Sequence, residues 1–177
     1  VSNIAANAID VGSALTTTAA TLELSNAELQ TIAAADLTIG SGAAGAITVS
    51  DAIAPGDTAG SDVTVLHLVT GSTITGAGEI VETGLALTAG GAINLTSVTS
   101  DVTDLAVSAA GQSVTFTDAS GVDIDTVAGV AGITAGTLNL TAAGVISDTA
   151  ALSVSGTATF DAGGTTATTN DITLDNS

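Results

Sequence analysis

The chain has 177 residues, with 18 Asp plus Glu, no Lys or Arg, and a formal net charge of −18. Without Lys or Arg it cannot neutralise phosphates and release their counterions, which excludes nucleic acid as a partner, and nothing draws it to an anionic membrane surface. Cys and Met are absent and Phe116 and Phe160 are the only aromatics, so there are no disulfides, and the core is expected to be built from Val, Ile, Leu and Ala rather than around large aromatic anchors.

In chain order, the first structured signal is Ser25-Asn26-Ala27-Glu28, which fits a capping box, followed by Leu29, Ile32 and Ala33 at helical spacing. This predicts a short helical turn over 26–35. From Leu37 the pattern changes to pairs of aliphatics with one residue between, then a turn of small residues, then another alternating pair. It reads LTIGSGAAGAITV from Leu37, LHLVTGSTI from Leu66, LALTAGGAINL from Leu85 and LAVSAAGQSVTF from Leu105. It returns as LNLTAAGVI from Leu138 and LSVSGTATF from Leu152, and ITLDN from Ile172 starts another.

The spacing is close to 20 residues from Leu66 to Leu85, Leu85 to Leu105 and Leu152 to Ile172. The interval from Leu37 to Leu66 is longer and carries Pro55 and Gly56, which predicts a loop insertion over 51–62. The interval from Leu138 to Leu152 is shorter, which predicts a short coil there.

Period-two alternation turns Leu85 and Leu87 to one face and Ala86 and Thr88 to the other. The corner after them is expected at Gly90-Gly91, where glycine tolerates a positive φ. Two or three such strands complete one coil, and successive coils stack about 4.8 Å apart with parallel hydrogen bonds. The fold expected is therefore all-β, a parallel β-helix (β-solenoid) over 1–177. It would have roughly eight or nine coils of about 20 residues, making a rod about 40 Å long. Its interior ladders would include Leu85, Leu105, Val114, Phe116, Leu138 and Leu152. An antiparallel β-sandwich is the alternative, but it calls for Asn-Gly or Asp-Gly hairpin turns, and neither dipeptide occurs. High charge with few aromatics also fits disorder, but the abundance of Val, Ile and Thr opposes it. No apolar run approaches the 18 residues of a spanning helix. No signal-peptide pattern is visible at Val1, and the lack of Met leads us to expect a processed protein or an excised segment.

SNAELQTIAAADLTIGSGAAGAITVSDAI, with LHLVTGSTITGAGEI and LALTAGGAINL after it, resembles the repeat region of filamentous haemagglutinin-like exoproteins, large bacterial proteins exported by two-partner secretion. The resemblance covers roughly 22–177 and lies in the style of the repeats, not in a catalytic motif. It implies a right-handed parallel β-helix, an extracellular or cell-surface location, and a role in adhesion, biofilm or a surface fibre.

Little in the chain points to catalysis. The single histidine, His67, lies in VLHLV among strand aliphatics and reads as an outward strand residue. No Cys, Lys or Arg is available as a nucleophile or as a grip on an acidic sugar. The expectation is no enzyme, no catalytic residue and no cofactor. For a metal, the candidates are Asp118, Asp123 and Asp125 in TDASGVDID, oxygen donors of the kind calcium takes. Their spacing matches neither the EF-hand loop nor the nonapeptide of calcium-binding β-rolls, so no assigned metal site follows. Asp101 with Asp104, and Asp57 with Asp62, are weaker pairs. Thr73-Ile74-Thr75, Thr115-Phe116-Thr117 and Thr157-Ala158-Thr159 raise ice binding as a minor reading, although outward Thr is ordinary in strands. The functional expectation is a stiff, non-catalytic segment of a secreted surface fibre that self-associates by coil stacking or head-to-tail contact. An adhesin module binding a receptor is the alternative.

Overall fold

Alternating aliphatic and polar residues leave each short run one apolar face, and that face must be buried against another run. The computed structural model, which describes residues 7–14, 20–56, 62–163 and 172–175, meets this demand with strands in nearly every such run. They are β1 (Ala8–Val11), β2 (Thr21–Leu24), β3 (Asp36–Ser41), β4 (Ile47–Val49), β5 (Val65–Thr70), β6 (Ile74–Gly76), β7 (Val81–Ala89), β8 (Ile93–Leu95) and β9 (Asp101–Asp118). Then come β10 (Val122–Ile124), β11 (Thr126–Val127), β12 (Val130–Ala131), β13 (Ile133–Ala142), β14 (Ile146–Asp148), β15 (Leu152–Val154), β16 (Ala158–Ala162) and β17 (Ile172–Thr173). One helical turn, α1 (Asn26–Leu29), lies between β2 and β3.

The fold is all-β and mostly parallel: among the described residues fifteen strands share one sheet, and only β11 and β12 pair antiparallel. The antiparallel sandwich is therefore not the arrangement. The strands fall into three series. In the first, Leu37 pairs with Leu66, Leu66 with Leu85, and Leu85 with Leu105, the register that the aliphatic repeats predict. In the second, Ile47 pairs with Ile74, Ile74 with Ile93, Ile93 with Val114, and Val114 with Leu138. The third runs from Ile53 and Ile80 through the start of β9 to β10, β14 and β17. β7, β9 and β13 each run through a corner from one series into the next. The aliphatics between the series form one core, in which Leu66, Leu85, Val107, Ile133 and Leu140 have no exposed surface.

The register corrects the expected short coil. Leu138 does not stack on Leu105 but on Val114, and Leu140 stacks on Phe116. Leu152 lies beside Ile133, and Phe160 beside Leu140. The motif at Leu138 thus belongs to the second series and the one at Leu152 to the first, so the interval between them does not join equivalent positions. The extra residues before Leu66 fall between Ile53 and Val65, because Ile53 pairs with Ile80 and Val65 with Gly84.

α1 is a single turn that ends at Leu29, not at 35. Its capping box is complete: Ser25 Oγ accepts from the Glu28 N–H at 3.3 Å, and Glu28 Oε2 accepts from the Ser25 N–H at 2.9 Å. Leu29 is 1% exposed and packs into the core. Asn26 Oδ1 accepts from the Ala54 N–H, and Gln30 Nε2 donates to the Ala54 carbonyl, so the turn is bolted to the chain just after Ile53. Strand order shows where this turn lies. β2 pairs with β1 on the side away from β4, and β3 pairs only with β5. β2, β3 and α1 therefore gather at one end of the stack. Among the described residues no helix is long and apolar enough to cross a membrane.

The glycine corner at Gly90 has a different cause from the expected one. Neither Gly90 nor Gly91 has a positive φ. A Cβ on Gly90 would instead strike the Gly71 carbonyl, and one on Gly71 the Gly42 carbonyl. Glycine is needed because successive corners stack backbone on backbone. Positive φ does appear at the β11–β12 turn, where Ala128 (φ 50) and Gly129 (φ 78) form a two-residue hairpin of the mirror-image type. Composition alone did not announce this hairpin. It lies against the outside of the sheet, with Val127 covering Ala86 and Ala106.

Candidate functional site

The acidic cluster forms where the third series meets β10. On β9, Val102 and Leu105 turn inward, and Asp104 between them sits at the surface. Register places Asp123 of β10 directly beside Asp104. Asp125 follows two residues after Asp123, which by strand geometry returns it to the same side. Together Asp104, Asp123 and Asp125 bring a carboxylate oxygen each to within 4.8 Å of one another. Burial and then the charges of Asp125 and Asp123 push the Asp104 carboxyl above the usual range. Asp123 is held from the next strand: Ser147 Oγ donates to Oδ1 at 2.8 Å and Thr149 Oγ1 to Oδ2 at 3.1 Å. Asp125 Oδ1 accepts from the Thr126 N–H at 2.6 Å, at the root of the β11–β12 hairpin. Three carboxylates with hydroxyls around them are the donor set of a hard divalent cation.

The structure keeps Asp123 and Asp125 of the expected trio and replaces Asp118 by Asp104. Asp118 ends β9 with its side chain inward, 2% exposed. It accepts from the Val102 N–H at 2.9 Å, the Ser120 N–H at 2.8 Å and Ser120 Oγ at 3.1 Å, and burial raises its pKa. It fastens the corner and offers nothing to the cluster. Asp101 is not joined to Asp104 either, since it accepts from Ser120 Oγ at 2.8 Å. In the remaining pair, Asp57 lies outside the described residues.

His67 is on the outward side of β5, half-buried, with Nε2 2.9 Å from Thr88 Oγ1. Burial lowers its pKa. The three Thr-x-Thr copies do share a face. Thr48, Thr75, Asn94, Thr115, Asn139 and Thr159 are successive partners in one column, so from Thr75 onward threonine alternates with asparagine.

A second acidic feature was not legible in the sequence. Glu82 is 6% exposed, and its neighbour in register is Val102, fully buried. The only signal is the change of phase in β7, where Gly84 and Leu85 are both buried and shift the alternation. Glu82 lines a cavity of about 340 Å³ together with Gly56, Thr64, Thr83, Asp101 and Thr103. Burial raises its pKa to about 7, against the lowering effect of hydrogen bonds from the Gly56 and Thr83 backbones.

Residues 111–177 match the model of a family described as Repeats of unknown function (DUF5649). Neither a curated protein nor a solved structure matches the chain.

Proposed function

We propose that the chain is a stretch of right-handed parallel β-helix in a secreted bacterial surface fibre, working as a stiff, non-catalytic rod. The observation that carries this reading is the unbroken parallel register of like residues, as in Leu37–Leu66–Leu85–Leu105 and Ile47–Ile74–Ile93–Val114–Leu138. Each level then depends only on its neighbours, so length is added without altering the cross-section, as a spacer requires. The match to a repeat family supports it. The extracellular setting rests on the resemblance to filamentous haemagglutinin-like repeats. The complete lack of Lys and Arg is consistent with a salty medium, where the Debye length is about 8 Å or less and self-repulsion is screened.

The two ends of the stack differ. At one end α1 plugs the core with Leu29. At the other, Leu152, Val154 and Phe160 are only partly buried, whereas their register partners Ile133, Ala135 and Leu140 are 2% exposed or less. Among the described residues β15 and β16 pair with β13 alone, and an edge of that kind accepts a further strand, in keeping with stacking or head-to-tail association. Electron microscopy of the purified chain tests the reading. Rods or filaments with an axial spacing that is a multiple of about 4.8 Å are expected. Compact particles without that spacing would refute it.

A further inference from the structure

Glu82 carries an inference independent of the rod reading. It follows Ile80 on the inward side of the third series and lies beside Val102 in register, and neither neighbour has exposed surface. Its carboxylate accepts from the Gly56 and Thr83 N–H groups. Its Oε1 has no hydrogen-bond partner among the described residues and is sealed from solvent, so a dissolved cation does not reach it. A buried charge in this state is costly unless something neutralises it. The ionisable groups on the surrounding elements do not. Glu79 before β7, Asp101 and Asp118 on β9, Asp51 and Asp62 on either side of the insertion, and Glu28 on α1 are all acids. Asp101 and Asp118 are moreover bonded to Ser120. The single histidine, His67, sits outward on β5. The neutraliser left to Glu82 is a proton.

We propose that Glu82 is a proton-operated latch: protonated, it holds the run 53–56 against the sheet, and ionised, it releases that run and α1 with it. The weaker side of its enclosure decides which part moves. Toward Val102 it is bounded by the β7–β9 ladder, whose register runs from Val81 to Thr88. Toward the insertion it is bounded by the run 53–56. That run meets the sheet through the isolated bridge of Ile53 with Ile80, with the Ile53 N–H donating to the Glu79 carbonyl and the Val81 N–H to the Ile53 carbonyl. Lifting it breaks fewer bonds than opening the ladder, and is the cheaper way to bring water to the carboxylate. α1 is tied to the same run, because Asn26 Oδ1 and Gln30 Nε2 both bond the Ala54 backbone. Lifting the run therefore loosens the turn whose Leu29 plugs the end of the core. The direction follows from titration. The carboxyl titrates at about 7 while enclosed, because burial disfavours its charge, and near 4.5 once solvated. Below pH 4.5 both forms hold the proton and the latch is fully closed; its hold is lost as pH rises through about 7. Between pH 5.5 and 8 the equilibrium constant for opening rises about 25-fold.

The test is amide hydrogen exchange of the full chain, followed residue by residue by NMR from about pH 5.5 to 8 with and without low urea, for the wild type and Glu82→Gln. Leu29, Gln30, Ile53, Ala54 and Gly56 are expected to exchange as one set. They should do so faster than Val107 and Leu138, whose N–H groups lie in the ladders, and at rates that low urea barely changes, the mark of local opening. After correction for intrinsic rates, opening of the set should rise about 25-fold across the range in the wild type. It should stay level in Glu82→Gln, which keeps the shape of the side chain without the titrating proton. If Glu82→Gln fails to fold, Glu82→Met, which also has nothing to titrate, takes its place. Opening that is independent of pH in the wild type overturns the latch, as does the same rise in the variant. Exchange of the set only together with Val107 and Leu138, which is unfolding of the whole chain, overturns it equally, and so does exchange of Leu29 and Gln30 apart from Ile53.

Discussion

In EDTA the protein should become less stable as pH rises from about 4.5 to 8, the reverse of ordinary acid denaturation. The main cause is Glu82. Its carboxyl titrates near 7 when folded and near 4.5 when unfolded, because burial disfavours the charged form. Below pH 4.5 both states hold the proton and no penalty exists. Between the two values the unfolded chain releases its proton while the folded chain keeps it, so stability falls, and above 7 the loss is complete. The interval corresponds to about 3 kcal/mol. For a domain of this size that is a drop in melting temperature of roughly 6–12 °C. Asp104 and Asp118 are raised chiefly by burial and act in the same sense. His67 opposes them: burial lowers its pKa, so the stability it contributes is present above pH 6.5 and is lost as pH falls through that region. Glu28 is lowered by hydrogen bonds from Ser25, but it is fully exposed and weighs little. The assay is far-ultraviolet circular dichroism, melting wild type and Glu82→Gln at intervals across this range at constant ionic strength. The wild type should fall as stated, and the variant should lose most of that slope. A wild-type melting temperature that is flat or rises with pH would refute the reasoning, as would the same slope in both proteins.

Two packing predictions can be checked by urea denaturation. Phe116 is 1% exposed and stacked between Leu95 and Leu140, so Phe116→Ala should cost about 3–5 kcal/mol; a loss under about 1 kcal/mol would mean that the ladder is not tightly packed there. Gly90→Ala drives a methyl into the Gly71 carbonyl and should cost at least about 1 kcal/mol, since the contact is with backbone and cannot turn aside. An unchanged midpoint would show that the stacked corners have slack.

The sequence by itself determined what is local or periodic. Alternation decided which side of each strand faces inward, as at Leu85 and Leu87, and the capping box at Ser25 decided where α1 begins. The near-20-residue spacing of Leu66, Leu85 and Leu105 made their column readable, because equal intervals put equal residues on one ladder. Parallel pairing followed from the absence of hairpin signals, apart from one hairpin turning on Ala128-Gly129, a dipeptide with no strong turn signature. Beyond Leu105 the reading slipped. A run with several alternating pairs does not say which pair lies on which, so the interval from Leu138 to Leu152 looked like a short coil when Leu138 lies on Val114 and Leu152 beside Ile133. Only the tertiary structure settles such phases, since the choice depends on how many residues each corner consumes. The same cause explains the acidic groups. Asp118 and Asp123 are close in sequence, but a corner between them sends one inward and leaves the other outside. Asp104 reaches Asp123 through parallel register, and Glu82 becomes interior because β7 changes phase at Gly84. Charge, composition and strand identity are properties of the chain; which carboxylates meet, and which one is buried without a counter-charge, belongs to the stacking.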